Sequence, residues 1–489
     1  MAAFFSASNV VFQLYKLGDD QSVTQWTAIN NMGAGSGFLP LDATFFNNAV
    51  WYDGNNGAGG RQLYKLGADG SFTMWTAINP GGGGLFPDPL NSLPPLLNAF
   101  DDLTVFNNAL WFDGQTPNQG NQLYKLGNDG SVTKWTAINP NGAPAPGVGP
   151  GLDPGQFTVF NGSLWFDGNT LFGRQLFRLE PDGSVFVWSF TNIFGGGLNR
   201  SKDSLPFQDA LWFGGAAPGQ GKQLYKLGFD NSLTTWTAIN PNGTIRGRGF
   251  DPLDLTQFAG AVWIDGEASD AMGAQLYKLG FDGSVTQWTA SPDFTPRAGT
   301  AGQFTVFQNA MWFTATAPGQ GGQLYKLGND GSVTKWTAIN TGGGGLSGAP
   351  GDNGVVLVEF ANALWFGGNA NDGTNQLFKL GFDGSVTQWT AVPGGFNPIF
   401  VDDGINTLPP LNGVPPNPQP LPGQGFPLID TDSTAQSVFQ NAAWLQGRSP
   451  AGGTELFKLG ADGSVTLWKD INPGPGSSFP YDWSGRLPV

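Results

Sequence analysis

QLYKLGNDGSVTKWTAIN, residues 122–139, returns unchanged at residues 323–340 and, with substitutions, seven more times along a chain of 489 residues. Its first Leu falls at Leu14, Leu63, Leu123, Leu176, Leu224, Leu276, Leu324, Leu377 and Leu456, at intervals of 48 to 60 residues and one of 79. Self-similarity at such a period marks a repeat architecture, in which each unit leaves a hydrophobic face for its neighbour to cover.

Before each phrase except the first runs a second one, TVFNNALWFDG ending at Gly114, TVFNGSLWFDG ending at Gly168 and TVFQNAMWF ending at Phe313. Together they read as four short strands. TVF enters an Asn-containing turn, ALWFDG leaves it, QLYKLG follows a Gly-rich loop, and the Asp-Gly turn at Asp129 and Gly130 opens SVTKWTAI. Asn-Gly and Asp-Gly between β-rich runs signal hairpins, and both are expected to adopt type I′ turns. In ALWFDG, Leu110 and Phe112 point one way and Trp111 the other, so both sheet faces are expected to be buried. A lone meander of this kind is too small to stand by itself.

The fold expectation is an all-β, closed β-propeller of nine four-stranded blades in a single domain, 1–489. The units lie near 1–30, 44–80, 103–140, 156–193, 205–241, 257–292, 303–340, 355–393 and 437–474, with a Pro/Gly-rich insert at 394–436. The first unit lacks its TVF strand and begins with Ala3-Phe4-Phe5-Ser6, and residues 479–489 resemble the missing piece. Ser484-Gly485 then forms the turn and Leu487 enters the LWF position, so that the N- and C-termini share one blade and no sheet edge is left open. Eight blades with an appended unit, an open solenoid and two smaller rings remain as alternatives.

Composition narrows function. There are 37 acidic and 22 basic residues, a net charge of -15, and no Cys or His. Disulfides, thiolate chemistry, the common zinc ligands and the commonest general base are therefore absent. The acidity disfavours nucleic acid as a partner. No apolar run approaches the length of a membrane span.

The units resemble bacterial repeats of consensus ELWxxDGT, whose longer form ends in VKDINPG. The last unit, GGTELFKLGADGSVTLWKDINPGPGSS from Gly452 to Ser478, fits best; elsewhere Gln replaces Glu and WTAIN replaces VKDIN. The resemblance implies a propeller-like fold and an extracellular or cell-surface bacterial location, and implies no activity.

Three residue sets are candidate sites. Lys16, Lys65, Lys125, Arg178, Lys226, Lys278, Lys326, Lys379 and Lys458 form a basic ring at one strand position. It either lines a channel for an anion or, as the favoured expectation, pairs with aspartates such as Asp53, Asp113, Asp167 and Asp265. The Asp-Gly pairs at Asp69, Asp129, Asp182, Asp282, Asp330, Asp383 and Asp462 are expected to be turns, with calcium as the weaker alternative because each offers one carboxylate. Phe194, Phe250, Phe294, Phe396, Phe400 and Phe426 lie outside the repeat pattern and are expected to stand exposed in loops. Of 18 Trp, nine fill the TxWT position and eight the LWF position, leaving Trp483, so core packing is expected for them.

The functional expectation is a non-enzymatic structural or adhesive subunit, secreted or on the cell surface, contacting protein or glycan through its long loops or assembling with itself. A multivalent lectin is the alternative and a glycan hydrolase the second alternative. No catalytic, cofactor or metal residue is expected.

Overall fold

The computed structural model describes residues 2–8, 12–17, 22–28, 38, 41–55, 60–78, 84–86, 103–138, 151–193, 196–201, 204–242, 249–269, 273–290, 304–317, 319–342, 344–346, 357–393, 395–396, 398–400, 438–439, 441–448, 454–469 and 486–487. Among these the strands form nine antiparallel sheets, eight of four strands and one of five. Each sheet is one sequence unit, numbered here 1 to 9 along the chain. Unit 3 shows the pattern: Thr104–Phe106, Ala109–Thr116, Gly120–Gly127 and Val132–Lys134 pair in order as a meander. The all-β architecture of nine consecutive sheets is consistent with a β-propeller.

The two turn signals act differently. Between the first two strands, Asn107 and Asn108 both take left-handed backbone angles, φ 47° and 56°, giving the expected type I′ turn. At the Asp-Gly turn only Gly130 does, at φ 79°. Its N–H bonds to the Gly127 carbonyl at 2.9 Å, while Gly127 N–H reaches Ser131 O at 2.9 Å. This is a type I turn closed by a glycine bulge, which corrects the type I′ expectation: one residue more separates the strands, so only the closing position needs positive φ.

Both faces of the sheets of units 2 to 8 are covered. Leu110, Phe112, Tyr124 and Leu126 pack with Trp51 and Leu63 of unit 2, whereas Ala109, Trp111 and Leu123 pack with Leu164, Phe166 and Phe177 of unit 4. The cores therefore lie between consecutive sheets, the outcome expected from the missing polar alternation. First strands of neighbouring units also touch, as where the Thr44 hydroxyl donates to Leu103 O at 2.8 Å.

The chain ends meet. Ala2–Ser8 is the second strand of unit 1, and Arg486–Leu487 pairs along it, with Ala2 opposite Leu487 and Ala3 opposite Arg486. In unit 3 the same register sets Ala109 opposite Phe106. Leu487 thus takes a TVF Phe position in the first strand and does not enter the LWF position as expected. The second strand was already supplied by the N-terminus.

Unit 9 departs from the expected insert boundary. Ile399–Phe400 and Val438–Phe439 both pair with Ala442–Arg448. The first strand of unit 9 is therefore interrupted between Phe400 and Val438, so the break falls inside a strand and not between units. Other first strands carry a register shift beginning one residue away from that place, between Leu41 and Ala43, Gly155 and Thr158, and Leu253 and Thr256. A bulge is where an extra loop disturbs pairing least.

Candidate functional site

The repeated residues are absorbed by the scaffold. In unit 6 the Trp263 and Trp288 rings meet edge to face, 5.3 Å apart at 90°. The Lys278 ammonium lies 5.8 Å and 5.1 Å from their centroids. Lys65, Lys125, Lys226, Lys326, Lys379 and Lys458 repeat this sandwich, Arg178 places its guanidinium there, and Lys16 lies 4.8 Å from Trp26. The basic ring is thus seated on Trp faces in the third strand, and the contacts described for it are with those rings and not with the expected aspartates. Register explains it: Lys125 stands opposite Trp111, and Asp113 opposite Leu123, two residues further along. Cation–π contacts then hold the ammonium. The aspartates have partners of their own, Arg61 for Asp53 at 2.7 Å, Asn121 for Asp113 at 2.8 Å and Arg200 for Asp167 at 3.1 Å.

The TxWT tryptophans are not core residues. Trp75, Trp135, Trp236, Trp288, Trp336 and Trp389 are 36–38% exposed, in contrast to the buried LWF set. Each donates its indole N–H to the Asp-Gly turn of the next unit, Trp236 to Gly283 O at 2.8 Å and Trp336 to Gly384 O at 2.7 Å. In the turn, Asp282 Oδ1 accepts from the Ser284 hydroxyl at 2.6 Å and its N–H at 3.0 Å, and these bonds hold the Asp282 carboxyl below the usual carboxylate range. Asp69, Asp129, Asp182, Asp330, Asp383 and Asp462 repeat the arrangement.

Two loop aromatics expected to be exposed are buried. Phe250 is 0% and Phe396 1% exposed. Each plugs the gap over a second-strand glycine of the following sheet, Gly266 and Gly447, where a Cβ would collide with the ring. Phe38, Leu85, Leu152, Leu198 and Leu346 hold the equivalent place. The plugs follow the TxWT Trp at varying distance, which hid them from a fixed-period reading; the signal was a Leu or Phe directly after Gly. Phe194, Phe294 and Phe426 lie outside the described residues, and Phe400 is described only as part of a strand.

Residues repeated nine times build the scaffold, so a localised function belongs where one unit breaks the pattern. Unit 4 breaks it at several positions together. Its fourth strand, Val185–Val187, reads VFV where unit 3 has VTK and unit 6 has VTQ. Phe186 is 49% and Phe190 63% exposed, and Leu171 and Phe172, in the turn between the second and third strands, are exposed as well. In unit 3 the Lys134 ammonium bonds Gln119 Oε1 at 2.6 Å; unit 4 has Val187 and Phe172 at those two positions. The Lys of the ring becomes Arg178, paired with Glu180 at 2.6 Å and bonded to the Ser163 hydroxyl at 3.1 Å. Nearby, Arg174 pairs with Asp153 at 2.6 Å.

Unit 4 also presents a free sheet edge. Val185–Val187 is the last strand of its sheet, with no further strand paired to it among the described residues. Glu180 N–H bonds Ser184 O at 2.9 Å and Trp188 N–H bonds Leu176 O at 2.8 Å. Antiparallel alternation then turns residues 184, 186 and 188 inward and leaves the N–H and C=O of Val185 and Val187 pointing out of the sheet. An apolar, preformed edge flanked by exposed aromatics is a template for another strand.

No family model and no curated protein matches the chain. Among solved structures it is similar to a puromycin-hydrolyzing peptidase of Mycobacterium tuberculosis, 10% identical over 72% of this chain and 53% of that one, TM-score 0.39. It is also similar to oligopeptidase B of Leishmania major, 10% identical over 89% and 49%, TM-score 0.40. A third is the β-propeller domain of the Trilobed protease of Pyrococcus furiosus, 10% identical over 72% and 97%, TM-score 0.32. The chain spans about half the length of the first two peptidases. These likenesses concern the fold. They correct the functional expectation: the neighbours are peptidases and a protease propeller, not structural or adhesive subunits, lectins or glycan hydrolases. No helix among the described residues is long and apolar enough to cross a membrane.

Proposed function

We propose that the nine sheets close into one propeller and that this propeller binds polypeptide, taking an extended segment as an added strand on the outer edge of unit 4. The observation that carries the reading is the edge itself: Val185 and Val187 offer outward backbone groups beside the half-exposed Phe186. Strand addition draws affinity from main-chain hydrogen bonds and selectivity from alternate side chains, and Phe186, Phe172 and Phe190 supply apolar contacts for the latter. The pairing of Leu487 with Ala2 supports closure, since it leaves no first-strand gap in unit 1.

The test is fluorescence anisotropy with a labelled synthetic peptide of alternating Val and Phe. Phe186→Thr restores the residue of other units, and Val187→Pro removes one outward N–H without breaking a bond within the sheet. Both variants are expected to melt within a few degrees of the parent and to lose peptide binding. Unchanged binding by either overturns the reading.

A further inference from the structure

Resting on that reading, we infer that the segment taken by unit 4 lies antiparallel to Val185–Val187 and is apolar with a basic residue: an apolar side chain opposite Phe186 and a Lys or Arg four residues further toward its C-terminus.

The orientation and the charge follow from what flanks the edge. At one end of the strand stands the Asp182 turn, exposed and ionised, its Oδ1 bonded by the Ser184 hydroxyl at 2.6 Å and its other oxygen left to the solvent side. At the opposite end stands Phe190, exposed and apolar. The edge is thus polarised, acid at one end and aromatic at the other. In an antiparallel partner, residues after the one opposite Phe186 run toward Asp182 and residues before it run toward Phe190. A cation four residues on therefore reaches the carboxylate, and an apolar residue four before it meets Phe190. A parallel partner would need the reverse order, and parallel pairing is slightly less stable per residue.

Charge also selects against the other occupant, a second copy of the chain. Each copy carries a net charge of -15, and two-fold pairing of the same edge would bring two acidic bodies together without a cation in either strand, since Val187 stands where unit 3 has Lys134. A basic segment meets the same edge with attraction.

Three labelled eleven-residue peptides decide the matter on the full chain. All share a Val/Phe alternation, one with Lys four residues after the central Phe, one with Glu there, and one with the Lys sequence reversed. The Lys peptide is expected to bind about two- to five-fold more tightly than the Glu peptide, a difference of the size an exposed pair supplies. The reversed peptide is expected to bind more weakly than the Lys peptide. Asp182→Asn keeps an oxygen for Ser184 and is expected to remove the Lys preference while leaving the Glu peptide no weaker. Equal binding of Lys and Glu peptides, or preference for the reversed one, overturns the inference while Phe186→Thr sensitivity upholds strand addition. If Phe186→Thr binds all three as the parent does, strand addition itself fails. A dimer in sedimentation that dissociates in Phe186→Thr assigns the edge to a second copy and overturns the inference.

Discussion

Trp288 of unit 6 and Gly331 of unit 7 clasp two sheets: the indole N–H reaches the glycine carbonyl at 2.7 Å, and the glycine has φ 81°. A Cβ on Gly331 would stand 2.5 Å from Trp288 Cζ2. The same contact joins Trp135 to Gly183 and Trp389 to Gly463. Trp75, Trp236 and Trp336 share it, and Trp188 bonds Asn231 O in the same place, so the clasp is a nearest-neighbour coupling in the sense of repeat-protein energetics.

Gly331→Ala is expected to lower stability by about 1–3 kcal/mol, since it forces a left-handed residue and pushes the indole aside. Trp288→Phe keeps a ring and loses one hydrogen bond, and is expected to lose about 1 kcal/mol from that bond, plus packing. Guanidinium unfolding followed by Trp fluorescence ranks the two.

The plug loops make a stronger claim. Phe250 meets Tyr277 edge to face, with centroids 4.7 Å apart, over Gly266. Phe250→Ala is expected to lose about 3–5 kcal/mol through the cavity it leaves. An exposed loop Phe would lose almost nothing, so the size of the fall in midpoint tests the placement directly.

These examples show what could be read from the chain. QLYKL and LWF lie in strands of constant spacing, and their backbone positions followed from the period. The plug at Phe250 sits at a variable distance from Trp236, so no period revealed it. The exposure of Trp236 depends on the turn of the next unit, a contact between residues 47 apart in sequence. The strand that Leu487 joins is not legible in the sequence because a short terminal segment carries too few residues to fix its register. Phe186 was visible as a departure from Thr, but only the open edge beside it gives that departure meaning.

The Asp-Gly turns should set the acid limit. Asp282 is stabilised in its charged form by the Ser284 hydroxyl first and the Ser284 N–H second, with Lys278 adding a smaller attraction. A carboxyl depressed in the fold contributes fully above its ordinary value of 3.8, and the contribution is lost as pH falls through the lower folded value. Carbon-detected NMR titration should find Asp282 below the ordinary range, and Ser284→Ala should raise it. An Asp282 that titrates at the ordinary value, unmoved by Ser284→Ala, would remove the turn from the acid response.

The buried Gln of the repeat gives the sharpest prediction. Gln223 is fully buried and every position of its amide is used. Its Nε2 donates to Gln220 O at 2.9 Å and Ile239 O at 2.8 Å, while its Oε1 accepts from the Thr237 hydroxyl at 2.9 Å and Ile239 N–H at 3.0 Å. A carboxylate there would face two carbonyl oxygens without a proton to give. Gln223→Glu is therefore expected to cost about 3 kcal/mol or more at neutral pH, the range for a buried charge left without its donor bonds. Burial raises the introduced carboxyl, so the deficit should be smallest near pH 4 and grow as pH rises through the folded value. Unit 9 holds Glu455 at this place, also buried, and there position 469 is Lys where the Thr237 equivalent would stand. The paired change Gln223→Glu with Thr237→Lys should then recover part of the loss, and Glu455→Gln alone should not mimic it. Unfolding midpoints of these variants at pH 4 and pH 7 separate a requirement for the amide from one for size alone, since a pure size requirement predicts no pH dependence in Gln223→Glu.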